Sequence, residues 1–123
     1  MNAATIIVAQ CDARAAEQIA ARLHAHFDGV AIARNPEELR QSILKRRAAA
    51  AIVDLEMLTI GELVALRQDF PSVTFVCTHR VADEEMWTAA LNAGAYDCYL
   101  TCDVDGIVAA ATQPPHHASH SAA

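Results

Sequence analysis

One carboxylate stands where an α/β fold does its chemistry. Asp54 closes the run Ala49-Ala50-Ala51-Ile52-Val53-Asp54, a short apolar segment flanked by helical patterns. Such a run reads as a buried parallel strand, here one that ends abruptly in an acid. In open α/β sheets ligands bind beyond the carboxyl ends of the strands, so Asp54 is the leading candidate for function. Thiols recur at comparable places. Cys11, Cys77 and Cys102 lie at or near the ends of the first, fourth and fifth strands, and His79 follows the fourth. Thiolate and imidazole are soft-metal ligands, which makes Cys11, His79 and Cys102 one candidate set; the plainer reading is small residues filling a core. The chain has no C-x-x-C pair, Gly-rich phosphate loop, nucleophile elbow or His-Glu-x-x-His. Zinc-ribbon, thioredoxin, hydrolase and nucleotide-binding readings are left without support, and the expectation is a binding module, not an enzyme.

The elements that must position these residues alternate along the chain. Thr5–Gln10 is a β-branched first strand. Asp12 caps a helix whose apolar positions Ala16, Ile19, Ala20, Leu23 and Phe27 recur at three and four, with Gly29 as its stop. Val30–Ala33 is a short second strand. Asn35-Pro36-Glu37-Glu38 opens a second helix with a cap, a first-turn proline and acids at the positive dipole end. That helix turns Leu39, Ile43 and Leu44 inward. After the third strand, Thr59-Ile60-Gly61-Glu62 has capping-box spacing and starts a helix through Leu63, Leu66 and Phe70, ended by Pro71. Val73–Thr78 is the fourth strand. A fourth helix begins around Asp83 with Met86, Ala90 and Leu91 inward and Gly94 as terminator. Tyr96–Leu100 is the fifth strand and Asp103–Ala111 the fifth helix. This (βα)5 alternation predicts a flavodoxin-like, doubly wound, five-stranded parallel sheet with right-handed crossovers, in the order 2-1-3-4-5.

Composition bounds the rest. At 123 residues and 54% hydrophobic the chain is one globular domain, read as residues 1–111 followed by a disordered tail, 112–123, rich in Pro, His, Ser and Ala. Its His116, His117 and His120 are read as tail rather than metal site. No apolar run reaches the ~18 residues of a membrane span, and no secretory signal is read, so the expected location is cytoplasmic. The net charge of −6 leaves no basic face for nucleic acid.

Three segments together, Val53-Asp54-Leu55-Glu56-Met57, Pro71 before strand four, and Ala93-Gly94-Ala95-Tyr96-Asp97, resemble the receiver domain of bacterial two-component response regulators. The resemblance covers residues 4 to 111. It implies that Asp54 is the phospho-acceptor for a partner kinase, that Mg²⁺ is the cofactor, held with acids at the end of strand one, and that a hydroxyl ends strand four and a lysine strand five. Phosphoryl transfer to a carboxylate needs those cations, because both reactants are anionic, and Mg²⁺ needs hard oxygen ligands. The match departs from this pattern. Strand one ends in Val8-Ala9-Gln10-Cys11-Asp12, so the acidic pair falls on Ala9-Gln10 or Gln10-Cys11. The lysine falls on Thr101 or Cys102, while Lys45, the only lysine, lies on the second helix. The hydroxyl is Thr78, or His79 by an ungapped count.

The expected pocket therefore holds Gln10, Cys11, Asp12, Glu56, Thr78, His79, Thr101 and Cys102 around Asp54. Asp12, Asp54 and Glu56 are the makeshift Mg²⁺ set if one forms. The family's interaction surface, built from the fourth and fifth helices with strand five, would be marked by Trp87, Tyr96 and Tyr99. It would meet a sensor kinase, an output protein or a second copy of the chain. Three functions stay open: a degenerate receiver-like module working by protein–protein contact, a phospho-receiver at Asp54, and a thiol- or metal-sensing flavodoxin-like domain.

Overall fold

The computed structural model describes residues 2–81 and 83–112. Ten elements alternate: β1 (Asn2–Ala9), α1 (Ala13–Leu23), β2 (Phe27–Ala33), α2 (Pro36–Arg46), β3 (Ala50–Asp54), α3 (Ile60–Asp69), β4 (Thr74–His79), α4 (Glu84–Asn92), β5 (Asp97–Leu100) and α5 (Val104–Thr112). All strand pairs are parallel and the order is β2-β1-β3-β4-β5, the flavodoxin-like arrangement expected from the alternation.

Strand pleating divides the core into two layers. Ile6, Val8, Ala50, Ile52 and Val76 face one side, where Ala16, Ile19 and Leu23 of α1 and Ile107 and Val108 of α5 cover them. Ile7, Ala9, Ala51, Val53, Phe75 and Cys77 face the other, under Leu39 and Ile43 of α2, Leu63 and Leu66 of α3 and Ala90 of α4. β3 is buried along its whole length, as a central strand covered on both faces must be.

Local chemistry sets the helix starts. Asp12, Asn35, Thr59 and Asp83 each accept a first-turn backbone N–H, and Thr59 and Glu62 form the reciprocal capping box. The ends and the inward faces differ from the sequence reading in five places. α1 stops at Leu23 and His24 caps it; Phe27, one helical turn further on, is the buried first residue of β2. Gly29 is not a helix stop but a strand residue paired with Thr5, where an added Cβ would lie 2.8 Å from the Thr5 hydroxyl. Leu44 and Leu91 face outward, 63% and 45% exposed: each follows a truly buried neighbour, Ile43 and Ala90, one position round the helix. α5 continues to Thr112, whose hydroxyl donates to the Val108 carbonyl. The remainder of the tail, with His116, His117 and His120, lies outside the described residues. Among the described residues no helix is long and apolar enough to cross a membrane.

Candidate functional site

Parallel register carries Gln10, Asp54 and Thr78 to the same end of the sheet. Asp54 pairs with Thr78 across β3 and β4, and Gln10 follows Ala9 at the end of β1, the neighbouring strand on the other side. Among the described residues these three are the buried polar ones, Gln10 2%, Asp54 4% and Thr78 0% exposed, so each must find a partner inside the protein.

Asp54 is held by backbone. Cys11 N–H donates to Oδ2 (3.1 Å) and Glu56 N–H to Oδ1 (2.8 Å), and the Asp54 carbonyl accepts from Met57 and Leu58 in the turn that follows. The Cys11 thiol beside it is pushed above the usual thiol range, first by burial and then by the charge of Asp54 and a hydrogen bond to it. A raised thiol pKa disfavours the thiolate that a soft metal binds. Gln10 reaches past the tip of β3: its Nε2 donates to Thr78 Oγ1 at 2.9 Å. The strand-four hydroxyl is thus Thr78, not His79, and it is already engaged. Gln10 Oε1 and the Thr101 hydroxyl are buried with no hydrogen-bond partner.

The remaining acids have other occupations. Asp12 accepts from Arg14 N–H as the α1 cap. Glu56 turns outward to Arg80, whose Nε and guanidinium NH2 group form a two-pronged pair with it at 2.8–3.0 Å. The pair holds Glu56 below the usual carboxylate range. Among the described residues no group of three or more His, Cys, Asp or Glu side chains is gathered to hold a metal ion. Neither Asp12, Asp54 and Glu56 nor Cys11, His79 and Cys102 are gathered into such a group. The buried polar side chains on the strands beside Asp54, Gln10 and Thr78, are neutral, a poor donor set for Mg²⁺, which favours several charged or water ligands.

Arg80 was not among the residues picked from the sequence. It lies in the β4–α4 loop, yet its charge acts on Asp54 and Asp12 as well as on its partner Glu56. This positive charge comes from the loop and not from the end of β5, and its hydrogen-bonding partner is Glu56. The signal that could have found it is an arginine two residues beyond Thr78. Arg80, Asp12, Arg14, Thr101 and Cys102 line a cleft of about 240 Å³.

The other expected pocket residues are placed differently. His79 turns back on its own loop, its Nδ1 accepting from Val81 N–H at 3.0 Å. Cys77 faces the opposite side of the sheet, in the α2–α3–α4 layer. Cys102 and Cys11 are exposed, and all four cysteines are free. The three aromatics flank the β5 edge on two sides: Trp87 packs on the α4 layer, whereas Tyr96 and Tyr99 pack on the α1–α5 layer. The Tyr99 hydroxyl donates to Asp97 Oδ2 (3.1 Å), and burial together with that carboxylate pushes its pKa up to about 12.

An open parallel sheet with a lone buried acid at the tip of its central strand defines the class: a flavodoxin-like domain with its site at the carboxyl edge. More narrowly, the fold is that of response regulator receiver domains. RcsB of Salmonella typhimurium, a response regulator described for its conformational dynamism in DNA interaction, superposes with a TM-score of 0.78 at 19% identity, over 98% of this chain and 67% of that one. The signal receiver domain of the putative response regulator NarL from Mycobacterium tuberculosis gives 0.75 at 14% identity, over 93% and 100%. The signal receiver domain of a DNA-binding response regulator from Colwellia psychrerythraea gives 0.70 at 15%, over 89% and 98%. The sequence matches no family model and no curated protein.

Proposed function

We propose that this domain is a degenerate receiver of the two-component type, a non-enzymatic cytoplasmic module that works by protein–protein contact with little or no phosphoryl transfer to Asp54. The observation that carries the reading is the Gln10–Thr78 hydrogen bond. An amide occupies the place where the receiver pattern has a metal-binding acid, and it engages the hydroxyl that would meet a phosphoryl oxygen. Thr101 takes the place of the lysine and brings a hydroxyl with no charge. Losing one preorganised charge donor at such a site typically costs about 10²–10³ in rate, and here the metal acid and the lysine are both replaced. The partner is a protein, a sensor kinase, output protein or second copy, met through α4, β5 and α5. The net charge of −6 argues against nucleic acid as the domain's own ligand.

One observation favours phosphoryl acceptance: the Arg80 guanidinium lies in the loop after β4 and its charge is felt at Asp54, although its bonds go to Glu56. The two readings part on one experiment. The reduced protein is titrated with beryllofluoride in the presence of Mg²⁺, a probe also present in a structure of the RcsB receiver domain. The expected result is no saturable binding. Saturable binding that requires both Mg²⁺ and Asp54, and is lost in Asp54→Asn, overturns the degenerate reading.

A further inference from the structure

Cys77 and Cys98 are in-register partners on the adjacent parallel strands β4 and β5, and both side chains belong to the same buried layer. Neighbouring strands lie about 4.8 Å apart, within the Cα separation that a disulfide spans. The two thiols influence each other's titration, with Cys77 pushed up by its neighbour and by burial. Cys98 in turn donates to the Trp87 carbonyl of α4 at 3.9 Å. β5 is the sheet's edge strand and only four residues long, so it can move toward β4 without dragging a second strand. The Trp87 indole N–H, on the same helix, is buried without a hydrogen-bond partner.

From this geometry we infer that Cys77 and Cys98 form a dithiol site oxidised to an intramolecular disulfide by a peroxide-class oxidant, and that the bond reshapes the α4–β5 face. The chemistry balances in two steps. The Cys98 thiol reduces hydrogen peroxide, its sulfur taking one oxygen to become a sulfenic acid while the other leaves as water. The Cys77 sulfur then attacks the Cys98 sulfur, the S–O bond breaks, and a second water departs with the Cys77 proton. Two electrons pass from the sulfurs to the peroxide for each disulfide formed. Cys98 is the entry point because it is nearer the surface, 6% exposed against 0% for Cys77, and oxidation follows access. The disulfide has no S–H, so the Cys98 bond to the Trp87 carbonyl is lost as the new bond forms. β4 and β5 become covalently tied while the middle of α4 loses a tether. The inference is independent of whether Asp54 takes phosphate, since the two sites lie on opposite faces of the sheet.

The test uses the full chain, reduced and then exposed to hydrogen peroxide under native conditions. The expected product has lost two hydrogens in intact mass, regains them with dithiothreitol, and yields a Cys77–Cys98 linked peptide on non-reducing digestion. Emission from Trp87, the chain's single tryptophan, changes with the same time course. Cys11→Ser with Cys102→Ser removes the exposed thiols and leaves these results unchanged, whereas Cys77→Ala or Cys98→Ala abolishes the linked peptide. Oxidation confined to Cys11 and Cys102 in the unaltered protein, or a Cys77–Cys98 link that appears only after denaturant is added, overturns the inference without recourse to any variant.

Discussion

Replacing Gln10 by aspartate tests what the amide does at the tip of the sheet. The side chain is 2% exposed and donates to Thr78 Oγ1 at 2.9 Å, and the next residue, Cys11, donates its N–H to Asp54. Gln10→Asp removes that donor, a loss of about 1 kcal/mol. It also buries a second carboxylate next to Asp54 with no cation within the sheet to match it, and Arg80 is already committed to Glu56. An uncompensated buried charge of this kind destabilises by about 3–5 kcal/mol. With a urea m-value of about 1–3 kcal/mol per molar, the midpoint of the variant falls by roughly 2 M in EDTA at neutral pH. The introduced carboxyl is pushed up by burial and by Asp54, so the folded state binds more protons than the unfolded one and the deficit shrinks as pH falls. Two carboxylates side by side are also what Mg²⁺ needs. Millimolar Mg²⁺ therefore restores much of the lost midpoint in the variant and leaves the parent unchanged. Adding Thr101→Lys to Gln10→Asp supplies the second cation and brings Mg²⁺-dependent beryllofluoride binding that the parent lacks. Urea titrations of parent and variants, each in EDTA and in Mg²⁺, read all of this. A Gln10→Asp protein as stable as the parent in EDTA, or a parent stabilised by Mg²⁺ as strongly as the variant, refutes the reasoning.

Three further outcomes follow from other parts of the molecule. Tyr99 holds its proton up to about pH 12 in the folded state, against a usual value of 10; stability is fully present below pH 10 and falls as pH rises from there, and an ultraviolet phenolate titration shows a late-titrating tyrosine that Tyr99→Phe removes. Gly94 has φ of +113°, and an added Cβ would meet the Arg67 side chain at 2.6 Å, so Gly94→Ala destabilises by about 1–3 kcal/mol through backbone strain, measured by denaturant melts. Leu63 is fully buried in the layer under α3, and Leu63→Ala costs about 2–5 kcal/mol with no change in the Tyr99 titration, which belongs to the opposite layer.

The sequence by itself determined what depends on near neighbours. Alternating apolar strands and amphipathic helices fixed the ten elements. Asp12, Asn35 and Thr59 marked helix starts correctly because a cap reaches only two or three residues along the chain. Asp54 was legible as the end of a buried strand for the same reason. Errors came where one local pattern mimicked another. Phe27 continued the α1 stripe by one turn although the helix had already stopped, and Leu44 and Leu91 sit one position away from the truly buried Ile43 and Ala90.

Tertiary structure decided the rest. Gln10 meets Thr78 from 68 residues away, Arg80 meets Glu56 from 24, and Cys77 pairs with Cys98 only because β4 and β5 run side by side in one register. Pleat parity sent Cys77 to the opposite face from Thr78, its immediate neighbour, and so separated it from the thiols at the carboxyl edge. Strand order, register and parity are set by burying two whole layers at once, a cooperative choice that no short stretch of residues contains.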